Sequence, residues 1–102
     1  MKFERALRFR AEFVGLSDRE KSLFLAAGRE INQTYDRDPT GWPPSWPARL
    51  RIKPVSGAAG VWEMTWSFAG PAGRATFQIV SVEGEPAIRW RRIGGHEIFR
   101  EP

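Results

Sequence analysis

The hydrophobic positions of this chain keep a helical period at the start and a strand period over the second half. Between Phe3 and Val14, the residues Phe3, Leu7, Ala11 and Val14 recur at three- and four-residue spacing, with Ala6, Phe9 and Phe13 widening the stripe. Glu4, Arg5, Arg8 and Glu12 fill the remainder, so the spacing predicts an amphipathic helix. Gly15 stops it. Ser17-Asp18-Arg19-Glu20 then reads as a capping box, in which the Ser17 hydroxyl accepts from the Glu20 backbone N–H and the Glu20 carboxylate reaches back. The second helix presents Leu23, Phe24, Ala27 and Ile31, with Tyr35 near its end. Residues 3–35 therefore form a helical hairpin.

From Val61 the period is two. Trp62, Met64, Trp66 and Phe68 alternate with Glu63, Thr65 and Ser67. After the turn GPAG, Ala75, Phe77 and Ile79 alternate with Arg74, Thr76 and Gln78; after VEGEP, Ile88 and Trp90 alternate with Arg89 and Arg91. Side chains on a strand point alternately to opposite faces, so these runs predict antiparallel strands joined by hairpins. LRIKPV adds a strand ahead of them, with Leu50 and Ile52 inward and Arg51 and Lys53 outward. Arg91-Arg92-Ile93 breaks the alternation and marks a bulge, which leaves open the face that Arg92 takes.

Between hairpin and strands lies DRDPTGWPPSWPAR, residues 36–49, whose prolines exclude a regular helix or a central strand. Trp42 and Trp46 are expected to pin this connector to the core edge; a Pro/Trp recognition surface is the alternative. The prediction is one α+β domain over residues 1–102. Its N-terminal helical hairpin packs on a four-stranded, mainly antiparallel sheet, with the sheet and a basic tail spanning residues 50–102.

Composition narrows the function. There is no cysteine, which excludes disulfide scaffolds, thiolate zinc sites and cysteine nucleophiles, and agrees with a reducing cytoplasm. No apolar run suits a membrane span, and no apolar segment near the start suits a secretory leader. The net charge is +4, and its distribution says more than its size. Residues 1–48 carry eight Lys/Arg against seven Asp/Glu, whereas residues 49–102 carry eight against five, most of those cations at strand positions. A basic sheet face interleaved with Thr and Gln suits a phosphate backbone.

The only histidine, His96, follows the last strand inside RRIGGHEIF. Histidine titrates near neutrality as a residue type and serves as general acid or base, although a lone one is more often structural. Arg91 and Arg92 stand just upstream, and Gly94-Gly95 gives the backbone freedom to turn the ring over the sheet. One histidine without cysteine, and acidic residues without ligand spacing, predict no metal site and no cofactor. Phosphate-loop, dinucleotide, esterase and zinc-protease signatures are absent too. RNA offers a reaction that needs no metal: its 2′-hydroxyl attacks the adjacent phosphate while a base takes the proton and cations stabilise the phosphate oxygens. Arg51, Lys53, Arg74 and Arg91 are the outward cations for that task. Glu63 on the same face is expected to pair with Arg74 across the hairpin, the sharper alternative being general base.

The helical hairpin with Leu16-Ser17-Asp18 at its turn, then LRIKPVSGAAGVWEMTW, GRATF, a closing strand and RRIGGHEIF resemble the RelE/ParE superfamily of bacterial toxin–antitoxin toxins, nearest its RelE/HigB-like branch. The resemblance implies a toxin that cleaves mRNA without metal, typically at the ribosome, and inhibits translation until an antitoxin neutralises it. By position, Arg74 looks like the arginine that contacts the scissile phosphate. Arg91 and Arg92 look like the family's later basic residues, Lys53 and Arg51 like its mRNA-gripping cations, and His96 like a C-terminal acid or base. Arg74, His96, Arg91 and Glu63 are the catalytic candidates, and Arg51, Lys53, Arg89 and Arg92 the RNA-binding ones. Family members begin with a strand; here the helical spacing starts at Phe3, which leaves that strand missing or very short. The tail also has Phe99 where many RelE-type enzymes carry a tyrosine, the sole tyrosine being Tyr35. That favours a second hypothesis, a non-catalytic binding protein engaging gyrase, RNA or an antitoxin. A packing domain of a larger assembly is the third.

Overall fold

Two ten-residue strands, β4 (Gly73–Val82) and β5 (Glu85–Gly94), form the long hairpin at the centre of the sheet. The computed structural model describes residues 1–39, 45–67 and 72–102. Glu83 and Gly84 close this hairpin with φ of 54° and 80°. Two consecutive left-handed residues give a turn whose twist matches the flanking strands. On one side β3 (Trp62–Ser67) pairs antiparallel with β4, and the two-residue β2 (Lys53–Pro54) pairs with β3. On the other side β1 (Lys2–Arg5) pairs parallel with β5. The sheet is thus five-stranded and mixed, in the order β1-β5-β4-β3-β2, and the α+β class stands.

The first strand corrects the expected helix at Phe3. In KFER the helical and strand periods coincide over too few residues to be told apart, and tertiary partners decide. Phe3 stacks on Trp90 with ring centroids 6.4 Å apart, while Lys2 and Glu4 pair with Glu83 and Arg89. Helix α1 begins only at Leu7 and runs to Val14, after the Ala6 N–H donates to the Trp90 carbonyl at 2.9 Å. Its buried side follows Phe9 and Phe13. Leu7 and Val14, expected inside, are 83% and 73% exposed.

Helix α2 (Asp18–Arg37) starts on the capping box that the sequence specifies. The Glu20 N–H donates to Ser17 Oγ at 3.1 Å, and the Ser17 N–H donates to the Glu20 carboxylate at 2.9 Å. Phe24, Ala27 and Ile31 are buried against the sheet. The core is aromatic at its centre: Trp90 lies 4.8 Å from Phe24, 5.3 Å from Phe77 and 6.0 Å from Phe9. Such pairs add about 0.5–1.5 kcal/mol each beyond the area they bury.

LRIKPV yields less strand than expected. Leu50 is buried, but it sits in a 3₁₀ turn (Ala48–Leu50), and Arg51 is left-handed at φ 49°. Pro54 is tolerated because β2 is an edge strand. Trp46 does hold the connector to the core, its ring 5.9 Å from Trp62 and 5.8 Å from Phe77. Trp42 and Phe68 lie outside the described residues. Gly73 opens β4 because the Trp66 indole covers it; an added Cβ would lie 2.5 Å from that ring.

The cap makes stability depend on pH. The Ser17 backbone N–H, and then its hydroxyl, hold the Glu20 carboxyl below its usual range. A depressed carboxyl contributes stability that is complete above its unfolded value, about 4.3, and lost as pH falls through the folded one. Urea midpoints at pH 7 and pH 3 should therefore differ more for the natural chain than for Glu20→Gln, which keeps an acceptor but does not titrate.

Candidate functional site

The sheet face opposite the helices carries the polar side chains of the period-two pattern. Arg74, the second residue of the central strand β4, is half-buried and faces Thr65 on β3 and Gly94 at the end of β5. Gly94 offers no side chain, and two residues later comes His96. The Arg74 Nη1 atom is buried and has no hydrogen-bond partner among the described residues. Leaving a buried donor unsatisfied costs about 1–3 kcal/mol, more when the group is charged. An anion placed there would remove that cost.

Glu63 lies on the same face, opposite Thr76 and one pair along from Thr65 and Arg74. Its ionic partner is Lys53 across β2–β3, at 3.7 Å, in place of the expected Arg74. The register explains this, because Lys53 faces Glu63 directly while Arg74 is displaced by a pair.

The bulge expected at Arg91 is present. Phe77 faces Trp90 and Thr76 faces Arg92, so Arg91 is the extra residue. The face of Arg92 is now decided. Its Nε and Nη2 donate to the two oxygens of Glu12 at 2.9 and 2.8 Å, and its Nη1 donates to the Glu101 carbonyl at 2.9 Å. Glu12 holds the Arg92 guanidinium charged more firmly than usual. With all three nitrogens engaged and only 9% of the residue exposed, Arg92 joins α1 to β5. Arg91 donates from Nη1 to Gln78 Oε1 and from Nε to the Pro102 main-chain oxygen, each at 3.0 Å. Arg89 pairs with Glu4 at the β1 edge at 3.0 Å. Arg51 is exposed in the left-handed turn just ahead of β2.

His96 begins a 3₁₀ helix (His96–Arg100) and is exposed, with its ring 5.3 Å from Phe99. Gly94 and Gly95 are needed for space; neither has positive φ. A Cβ on either would come within 2.8 Å of the Glu97 carboxylate, which accepts from the Gly95 N–H. That backbone bond, the larger influence, holds the Glu97 carboxyl below its usual range. The turn lets Ile98 bury completely and lays Glu101 and Pro102 across the sheet. Sequence reasoning missed these contacts, and with them the roles of Thr76, Gln78, Arg8 and Glu12; no local spacing signals them. Among the described residues no three His, Cys, Asp or Glu side chains cluster as metal ligands. No described helix is long and apolar enough to cross a membrane.

The helical hairpin packed on a mixed five-stranded sheet is a RelE/ParE-like fold, as three solved structures show. The chain is similar to a YoeB/ParE toxin from Agrobacterium tumefaciens, with TM-score 0.61 and 14% identity over 94% of this chain and 99% of that one. It is similar to the intact E. coli RelBE toxin–antitoxin complex, with TM-score 0.60 and 11% identity over 92% of this chain and 94% of that one. A double arginine-to-alanine mutant of E. coli toxin RelE in the free state gives TM-score 0.62 and 12% identity over 98% and 90%. No protein-family model matches the sequence, and no curated protein matches it significantly.

The two arginines should respond oppositely to substitution. Glu12→Ala leaves the buried Arg92 charge unpaired and is expected to cost about 3 kcal/mol in urea denaturation. Arg74→Met removes an unsatisfied donor, so stability should hold or rise by up to about 1 kcal/mol.

Proposed function

We propose that this chain is the toxin of a toxin–antitoxin pair and acts as a metal-independent endoribonuclease on mRNA at the ribosome, inhibiting translation. The observation that carries the reading is Arg74, a half-buried cation with an unsatisfied nitrogen on the polar face of a RelE/ParE-like sheet. A phosphodiester supplies oxygens in the paired geometry that a guanidinium binds. Arg74 holds the non-bridging oxygens of the scissile phosphate and stabilises the charge that grows on them. The 2′-oxygen forms a bond to phosphorus as His96 takes its proton; the bond from phosphorus to the 5′-oxygen breaks, and that oxygen takes a proton from water as it leaves. The products are a 2′,3′-cyclic phosphate and a 5′-hydroxyl end. Glu63, loosely paired with Lys53, is the other group able to accept the proton. Lys53, Arg51, Arg89 and Arg91 grip flanking phosphates, and Arg92 keeps β5 in place for them. The partner is a cognate antitoxin protein, and the setting is the cytoplasm. The antitoxin follows from the similarity to RelBE, in which a toxin is complexed with its antitoxin.

The exposure of His96 at the rim favours one other reading, a protein of the same fold that binds gyrase, RNA or an antitoxin without chemistry. Induced expression in a bacterial host, with growth followed and mRNA 5′ ends mapped, separates the two. The natural chain should arrest growth and create new 5′ ends. Arg74→Ala should lower cleavage about 10²–10³-fold and His96→Ala about 10²–10⁴-fold. Arrest without cuts would move the target to a binding partner, and undiminished cleavage by both variants would remove the mechanism.

A further inference from the structure

The polar face is already occupied by the chain's own tail. A cleft of about 270 Å³ between α1 and β5 is lined by Arg8, Arg89, Arg91 and Arg92, together with Glu101 and Pro102. Every tail group in it presents oxygen. The Pro102 main-chain oxygen accepts from Thr76 Oγ1 at 2.9 Å and from Arg91 Nε at 3.0 Å. The Glu101 carbonyl accepts from Arg92 Nη1 at 2.9 Å, and its carboxylate from Arg8 Nη1 at 2.7 Å. Thr76 is completely buried, so its hydroxyl would lose its bond to Pro102 without the tail. Three arginines and a buried hydroxyl, all donating to oxygens, make a donor set that suits a phosphate group.

We infer that Glu101 and Pro102 are a built-in competitor that fills a phosphate subsite in cis, and that RNA gains this subsite only by displacing them. The inference rests on the proposed RNA-binding role of this face. The anchoring of the tail is graded in a way that permits partial release. Ile98 is fully buried and holds the 3₁₀ helix down, whereas Glu101 is exposed and its ion pair with Arg8 has 71% and 56% of the two side chains exposed. Exposed pairs of this kind contribute little and weaken with salt. Glu101 and Pro102 can therefore lift while His96 to Arg100 stay in place. Release frees Arg8, Arg91 Nε, Arg92 Nη1 and Thr76 Oγ1; the Glu12 clamp on Arg92 and the Gln78 bond to Arg91 persist to keep the donors aimed. The natural chain would then hold RNA by Arg74 first and extend its grip along β5 as the tail yields. A binding site competent for a fraction of the time weakens apparent affinity by that fraction.

The test compares the full chain with one stopped at Arg100, which keeps Ile98. The probe is a 2′-O-methyl RNA oligonucleotide, whose blocked 2′-oxygen permits binding but no cleavage. Fluorescence anisotropy should give about 10-fold tighter binding after truncation, as expected if the tail is open about one-tenth of the time. Three freed arginines, each taking a phosphate, should also steepen the salt dependence by about 2, at about 0.7 per phosphate for a single strand. Thr76→Val in the shortened chain should forfeit part of the gain. Glu101→Gln, which keeps the full length and needs no truncated fold, should tighten binding about 2–3-fold. Unchanged affinity and slope in both the shortened chain and Glu101→Gln would overturn the inference while leaving the RNA reading intact. If no chain binds RNA, the RNA reading fails, and inorganic phosphate followed at the Arg91 Nε–H resonance decides the tail. A shift in the shortened chain alone upholds an occluded anion subsite; the same response in both chains, or none, overturns it.

Discussion

A single extra residue in β5 reconciles the core of this protein with its polar face. In an unbroken strand, Trp90 and Arg92 would point the same way, and the guanidinium would enter the aromatic cluster around Phe9 and Phe77. Arg91 is inserted without a partner on β4, and the alternation changes phase there. Trp90 stays against Phe77, Ile93 returns to the core against Ala75, and Arg92 turns to Thr76 on the other face. The bulge thus reverses the faces of the residues after Arg91 while their pairing with β4 continues.

The same bulge sets how the edge of β5 is covered. Its first half pairs with β1, and at Ala6 the chain leaves the ladder to become α1. Beside the second half, Glu12 of α1 meets Arg92, and its carboxylate also accepts from the Ile93 N–H at 3.4 Å. A carboxylate from the helix thus does for this stretch what a neighbouring strand does for the rest. Phe9, on the preceding turn of the same helix, packs on Trp90 and Phe24. One short helix therefore serves both faces of the sheet.

Polar groups on the far face are satisfied unevenly. Arg92, Arg91 and Thr76 each have a partner supplied by the tail, while among the described residues Arg74 keeps a buried nitrogen unpaired. Folded proteins pair nearly all such groups, and the exceptions gather at sites kept for another purpose. Gly94, opposite Arg74, belongs to this arrangement, because its bare backbone admits Glu97 and Ile98 where a side chain would otherwise stand. The tail and the site are thus built from the same few residues.

The helical hairpin, the capping box, the three long strands, the Trp46 anchor and the bulge were legible along the chain, since each depends on neighbours within a few residues. The strand at Lys2–Arg5 was not, because four residues satisfy two periods and only Trp90, far away in sequence, distinguishes them. Of the site, the alternation placed Arg74, Glu63, Thr76 and Gln78 on one face. It could not place the partner of Glu63, the anchoring of Arg92 or the path of the tail. By itself, then, the sequence determined the periods, the caps and the polarity of each face, which are local chemistry. Only the tertiary structure decided which charges are spent on the fold and which remain available. That depends on contacts such as Glu12 with Arg92, 80 residues apart, for which spacing along the chain carries no record.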